Sequence, residues 1–159
     1  MKARKANDVF WEKQINDDRS CRVHALNSFF GKAELTDEKF AALADEFDSQ
    51  HGCCNMSRSF THFVKGSSRM ESVISHVVEK MDPGLKCVTI LAEEEFHGKA
   101  DLCVACFMFN NKHVWLEKKV SFQWWLIDSK SKGPVRIEGG PFEVVSNRGR
   151  IFVFCKCDL

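Results

Sequence analysis

The stretch His113-Val114-Trp115-Leu116-Glu117-Lys118-Lys119-Val120-Ser121-Phe122-Gln123-Trp124-Trp125-Leu126-Ile127-Asp128 decides the reading of this chain. His113 to Glu117 and Gln123 to Asp128 each have the apolar, β-branched and aromatic content of a strand. A short connection joins them. A hairpin centred between Val120 and Ser121 places His113 opposite Asp128. Opposed residues of an antiparallel pair share a face, with Cβ atoms about 5 Å apart. A carboxylate at that distance can bond one imidazole nitrogen and leave the other facing a nucleophile, the base-plus-orienter arrangement of Cys and Ser hydrolases. By the same alternation, Trp124 shares the face of Asp128, and Trp125 lies on the other. The connection Lys119-Val120-Ser121-Phe122 lacks the Gly or Asn that a tight turn prefers, so a longer loop in the same register is an alternative.

Working outward, strands follow Gly84 and helices precede it. Cys87 to Leu91, Leu102 to Phe109 and Ile151 to Cys155 read as further strands, and Asn110-Asn111 as a turn. Upstream, Val23, Leu26, Phe29 and Phe30 have helical spacing over Ser20–Phe30, and Gly31 supplies a stop. Thr36 caps a second helix, Asp37 to about Phe47, that buries Phe40, Leu43, Ala44 and Phe47. A third begins after Ser67 or Ser68, buries Met70, Val73, Ile74, Val77 and Val78, and ends before Pro83. The segment from His51 to His62 has mixed signals and receives no assignment. Helices first and strands later predict an α+β domain, with helices packed on a mostly antiparallel sheet.

The chain has 159 residues, 44% apolar and 28% charged, with a net charge of +1. That predicts one domain over residues 1–159, burying about 70% of its unfolded surface. The charge balance offers no field for nucleic acid or an anionic membrane. No apolar run of transmembrane length occurs, and no apolar stretch follows the basic start Lys2, Arg4 and Lys5, so neither a leader nor a span is expected. Eight cysteines fall below the density of a disulfide scaffold, which points to thiols in a reducing, cytoplasmic setting.

The candidate nucleophile is Cys21, at the start of the first helix, where unpaired N–H groups and the helix dipole favour a thiolate. Taken alone, such a cysteine is more often a buried structural thiol. His24, three residues on, is a rival base, and a buried, bonded histidine is the plainer account of it. Cys53 and Cys54 beside His51 have no evident orienting residue. Cys103 and Cys106 have a zinc-ligand spacing, but on a regular strand they face opposite sides, and no Gly lies between them, so no metal is expected. Cys155 and Cys157 are about 6.7 Å apart in an extended strand, at the outer limit for a disulfide. Trp115, Trp124 and Trp125 have no basic groove beside them and read as core or cleft wall rather than a stacking platform for bases.

Trp11-Glu12-Lys13-Gln14, followed by Cys21-Arg22-Val23-His24-Ala25-Leu26-Asn27, resembles the start of the Josephin family. Trp124-Trp125-Leu126-Ile127-Asp128-Ser129, running on to Gly133-Pro134, resembles a later block of that family. The gap from His113 to Asp128 and the closing strand Ile151-Phe152-Val153-Phe154 are similar too, in the same order along the chain. The resemblance implies a papain-like deubiquitinase fold with Cys21 as nucleophile, His113 as general base, Asp128 as orienting residue and Gln14 as oxyanion donor. It implies ubiquitin or ubiquitin-conjugated proteins as partners, and no cofactor. A monomer is expected. The gap from Gln14 to Cys21 is about two residues longer than the family's, which keeps Asn16 open as the oxyanion donor. A catalytically silent ubiquitin-binding module and another Cys-dependent acyl transfer are the alternative functions.

Overall fold

The computed structural model describes residues 9–14, 21–50, 69–89, 100–110, 113–138 and 150–155. Three helices, α1 (Cys21–Phe30), α2 (Asp37–Gln50) and α3 (Arg69–Met81), precede six strands: β1 (Leu85–Val88), β2 (Cys103–Asn110), β3 (His113–Val120), β4 (Gln123–Ile127), β5 (Val135–Ile137) and β6 (Arg150–Cys155). A 3₁₀ turn at Ala100–Leu102 leads into β2. The strands form one sheet in the order β1-β6-β2-β3-β4-β5, every described pairing antiparallel. This is the expected α+β architecture.

Local chemistry sets the helix ends. Gly31, at φ +77°, closes α1, and the N–H groups of Gly31 and Lys32 both donate to the Asn27 carbonyl. The Asn27 side chain then accepts from Leu35 N–H at 2.7 Å and donates to its carbonyl at 3.0 Å, pinning the chain between α1 and α2. Thr36 caps α2 by accepting from Lys39 N–H at 3.1 Å. α3 stops at Met81, two residues before Pro83.

The main core lies between the helices and one face of the sheet. Leu26 from α1, Val73, Ile74, Val77 and Val78 from α3, and Phe107, Leu116 and Ile151 from the strands are fully buried there. Each such side chain contributes about 2 kcal/mol relative to exposure. α1 packs on β3, α3 on β1, and α2 on α3. The other sheet face carries a second cluster of Cys103, Cys106, Met108, Trp124, Phe152 and Phe154. Trp125 belongs to the helix-side core and Trp124 to the second cluster, as the strand alternation requires. No helix among the described residues is long and apolar enough to cross a membrane.

Four details differ from the sequence reading. The hairpin closes one residue later, with Val120 opposite Gln123 and a two-residue turn at Ser121-Phe122. Both turn residues take positive φ, 50° and 67°, the left-handed conformation that matches the strand twist but suits neither side chain. Cys103 and Cys106 share a face rather than opposing one another, because the β2–β6 register shifts between Cys103 and Ala105. α2 runs on to Gln50, and β3 runs on to Val120. β5 was not anticipated, since three residues are too few to show a period. Ile90, Leu91 and Asn111 lie outside the described residues.

Candidate active site

His113 is the first residue of β3, and Asp128 directly follows β4. Continued by one step, the ladder sets Asp128 beside Trp115, so His113 is its diagonal neighbour on the same face rather than its direct opposite. Diagonal positions are about 7 Å apart, within reach of an imidazole. The His113 Nε2 to Asp128 Oδ1 distance is 2.7 Å. His113 stacks on Trp115, ring centroids 5.7 Å apart and planes 22° from parallel, which fixes the imidazole plane. Its other nitrogen, Nδ1, is buried and has no hydrogen-bond partner among the described residues.

The Asp128 backbone is held from several sides. Its carbonyl accepts from Trp11 Nε1 at 2.8 Å, from Ser131 Oγ at 2.7 Å and from Ser131 N–H at 3.0 Å. Its carboxylate also accepts from Lys130 N–H at 3.0 Å. The carboxylate that meets His113 thus stands on a rigid turn.

Cys21 opens α1 and is buried in the helix-side core. The far end of α1 is anchored on β3, where Lys118 Nζ donates to the Ser28 carbonyl at 3.2 Å and the Phe29 carbonyl at 2.7 Å. A cation on the last carbonyls of a helix satisfies groups that have no partner within the helix. β3 runs back five residues from Lys118 to His113, roughly 17 Å, while α1 runs back eight from Phe29 to Cys21, roughly 12 Å. α1 packs on β3 from the helix side, and Cys21 and His113 are the first residues of these two elements, while the His113 ring stacks on Trp115, which packs against the second cluster.

Between helix and turn lies the segment 9–14. Glu12 faces α1: its Oε2 is 2.7 Å from His24 Nδ1, and Asn27 Nδ2 donates to both carboxylate oxygens at 3.2 and 3.3 Å. His24, the rival base, therefore has Nδ1 on Glu12. Trp11, Lys13 and Gln14 face the turn. Lys13 Nζ donates to the carbonyls of Lys130 and Ser131. Gln14 N–H donates to the Ser129 carbonyl at 2.7 Å, and Ser129 Oγ donates to Gln14 Oε1 at 2.9 Å. Gln14 and Ser129 are both buried. Trp11, Glu12, Ser129 and Ser131 had no assigned role in the sequence reading. Their one signal was membership of the two motif blocks, and the contacts of Trp11, Ser129 and Ser131 reach across more than a hundred residues. An open pocket of about 570 Å³ is lined by Val9, Trp11 and Ser131 to Val135 and abuts this turn.

Cys87 on β1 and Cys103 and Cys106 on β2 are buried. Burial pushes Cys103 up to about 12 and Cys106 well above the ordinary thiol range; Cys87 is raised by the same cause. Cys21, Cys87, Cys103, Cys106 and Cys155 are free thiols. Among the described residues, no group of three or more His, Cys, Asp or Glu could hold a metal ion. Asn16, His51, Cys53, Cys54 and Cys157 lie outside the described residues.

A family model described as Josephin matches residues 16–145, a span that contains Cys21, His113 and Asp128 and begins two residues after Gln14. No curated protein matches the chain. The match covers most of the chain, and the motifs, the α+β architecture and the His113–Asp128 pair agree with it. The chain belongs to the Josephin family, whose members are in general papain-like cysteine deubiquitinases.

Proposed function

We propose that the chain is a single catalytic domain that hydrolyses ubiquitin or ubiquitin-like conjugates, with Cys21 as nucleophile, His113 as general base and acid, Asp128 as orienting residue and Gln14 as oxyanion donor. One observation carries the reading. His113 has one nitrogen on a carboxylate at 2.7 Å and the other buried and, among the described residues, unpaired, at the start of the strand on which α1 packs. A buried polar atom without a partner costs about 1–3 kcal/mol, and a base that takes a thiol proton puts that nitrogen to use.

In this reading His113 Nδ1 takes the proton of Cys21, and the thiolate attacks the carbonyl carbon of the scissile amide. Negative charge gathers on the former carbonyl oxygen. The Cys21 backbone N–H, at the start of α1, and the Gln14 side-chain amide receive it. Collapse expels the amine, which takes the proton from His113 and leaves a thioester on Cys21. His113 then removes a proton from water, the hydroxide displaces the thiolate, and the carboxylic acid departs. Asp128 supports the imidazolium through Nε2 and does not itself take the proton. The domain would act as a monomer in a reducing, cytosol-like compartment that keeps its thiols free.

The test is labelling by a ubiquitin probe with a thiol-reactive C-terminus. Wild type is expected to form a covalent adduct at Cys21, and Cys21→Ala none. An adduct formed elsewhere, at Cys53 or Cys54, would overturn the assignment. Binding of ubiquitin without any adduct would select the catalytically silent module instead.

A further inference from the structure

The Asp128-Ser129 dipeptide does two things at once. Asp128 supplies the carboxylate oxygen that meets His113 Nε2. Ser129, the next residue, makes a two-point contact with Gln14, accepting from its backbone N–H at 2.7 Å and donating from Oγ to its Oε1 at 2.9 Å. We infer that Ser129 is the positioning residue for the oxyanion donor, setting which end of the Gln14 amide faces the reacting carbonyl. The inference rests on the catalytic reading above and deepens it.

The reasoning is geometric. A glutamine amide has an acceptor end and a donor end of nearly the same shape, and only the donor end stabilises an oxyanion. Presented the wrong way, the same side chain would set a lone pair against developing negative charge. With Ser129 Oγ on Oε1 at 2.9 Å, Nε2 of the same amide is directed away from Ser129. The backbone bond between the same residues fixes the distance over which the side chain must reach. Both residues are buried, so water does not compete for the hydroxyl. The Trp11 bond to the Asp128 carbonyl ties the same two short stretches together one step away. Base orientation and oxyanion orientation therefore share one rigid support.

The experiment is a double-mutant cycle with a ubiquitin C-terminal fluorogenic amide, reading kcat, KM and the thermal midpoint. Gln14→Ala is expected to lower kcat about a hundredfold, the usual cost of one oxyanion donor. Ser129→Ala should lower kcat roughly tenfold with KM unchanged, since misorientation forfeits part of that stabilisation. In the Gln14→Ala background, Ser129→Ala should have no further effect on kcat. Ser129→Thr, which keeps the hydroxyl, should restore most of the activity. If the two losses multiply, or if Ser129→Ala leaves kcat intact while Gln14→Ala lowers it, the inference is overturned and the catalytic reading stands. If Gln14→Ala leaves kcat unchanged, or wild type has no turnover, the failure lies in the catalytic reading and the inference falls with it.

Discussion

The turn between β3 and β4 sets the register that brings His113 to Asp128, and it does so with unsuitable residues. Ser121 and Phe122 adopt φ of 50° and 67°, and Phe122 is 82% exposed. A left-handed conformation costs a residue with a Cβ about 1–2 kcal/mol, and more for a bulky side chain than for a small polar one. Replacing Ser121 by Asn and Phe122 by Gly should recover about 2 kcal/mol of this strain across the two positions. Against that, Gly lowers stability by about 0.5–1 kcal/mol through unfolded-chain entropy. The small covered part of Phe122 is worth about 0.4 kcal/mol, scaled from about 2 kcal/mol for a buried phenylalanine. The net expectation is a gain of about 1 kcal/mol, or about 2–4 °C in Tm for a chain of this size. Calorimetry or circular dichroism would read the shift, and a ubiquitin substrate would check that kcat is unchanged, since neither side chain approaches the site. A Tm that stays level or falls would refute the strain argument, and a changed kcat would refute the claim that the turn acts only through register.

Lys118→Met should lower stability by about 1–2 kcal/mol, because the Ser28 and Phe29 carbonyls lose a charged donor; urea unfolding should show a lower midpoint with the same slope. Asp128→Ala should cut kcat/KM by at least a hundredfold, while Asp128→Asn keeps much of the activity, because an amide oxygen also accepts from Nε2–H. An Asn variant as inactive as Cys21→Ala would mean that the negative charge itself is required. The buried thiols make stability depend on alkaline pH. Cys87, Cys103 and Cys106 are raised in the folded state, so their contribution is fully present below the ordinary thiol value near 9 and is lost as pH rises toward 12. Thermal midpoints should fall steadily above about pH 9, and a midpoint flat to pH 11 would contradict this assignment. In the native protein at pH 8 these three thiols should resist a disulfide reagent that modifies them after unfolding.

The His–Asp pair was legible in the sequence for a reason that also explains why its geometry was only half right. Moving the hairpin centre by one residue shifts every cross-strand pair by two positions. Two is the period of a strand, so His113 and Asp128 kept a common face and changed only from opposite to diagonal. A half-step error would have separated them. The Cys103–Cys106 spacing shows the converse. One irregular residue in β2 shifts the parity, and nothing local in Leu102 to Phe109 announces it. Helix ends were readable because Gly31, Thr36 and Pro83 act within a turn of themselves. The Gln14–Ser129 contact was not readable, because it joins residues 115 positions apart and carries no periodic signal. The family resemblance pointed to Gln14 as a participant but gave no hint of what holds it.

The segment 9–14 has a practical bearing on where this domain should be cut. The family match begins at residue 16, and a recombinant fragment started there would retain Cys21, His113 and Asp128. It would also delete the carboxylate that meets His24 and Asn27, the indole on the Asp128 carbonyl, and the glutamine on Ser129. Such a fragment would keep every residue of the Cys-His-Asp motif and lose the splint between its two halves. Its inactivity would then report a boundary drawn too late rather than a chain without chemistry.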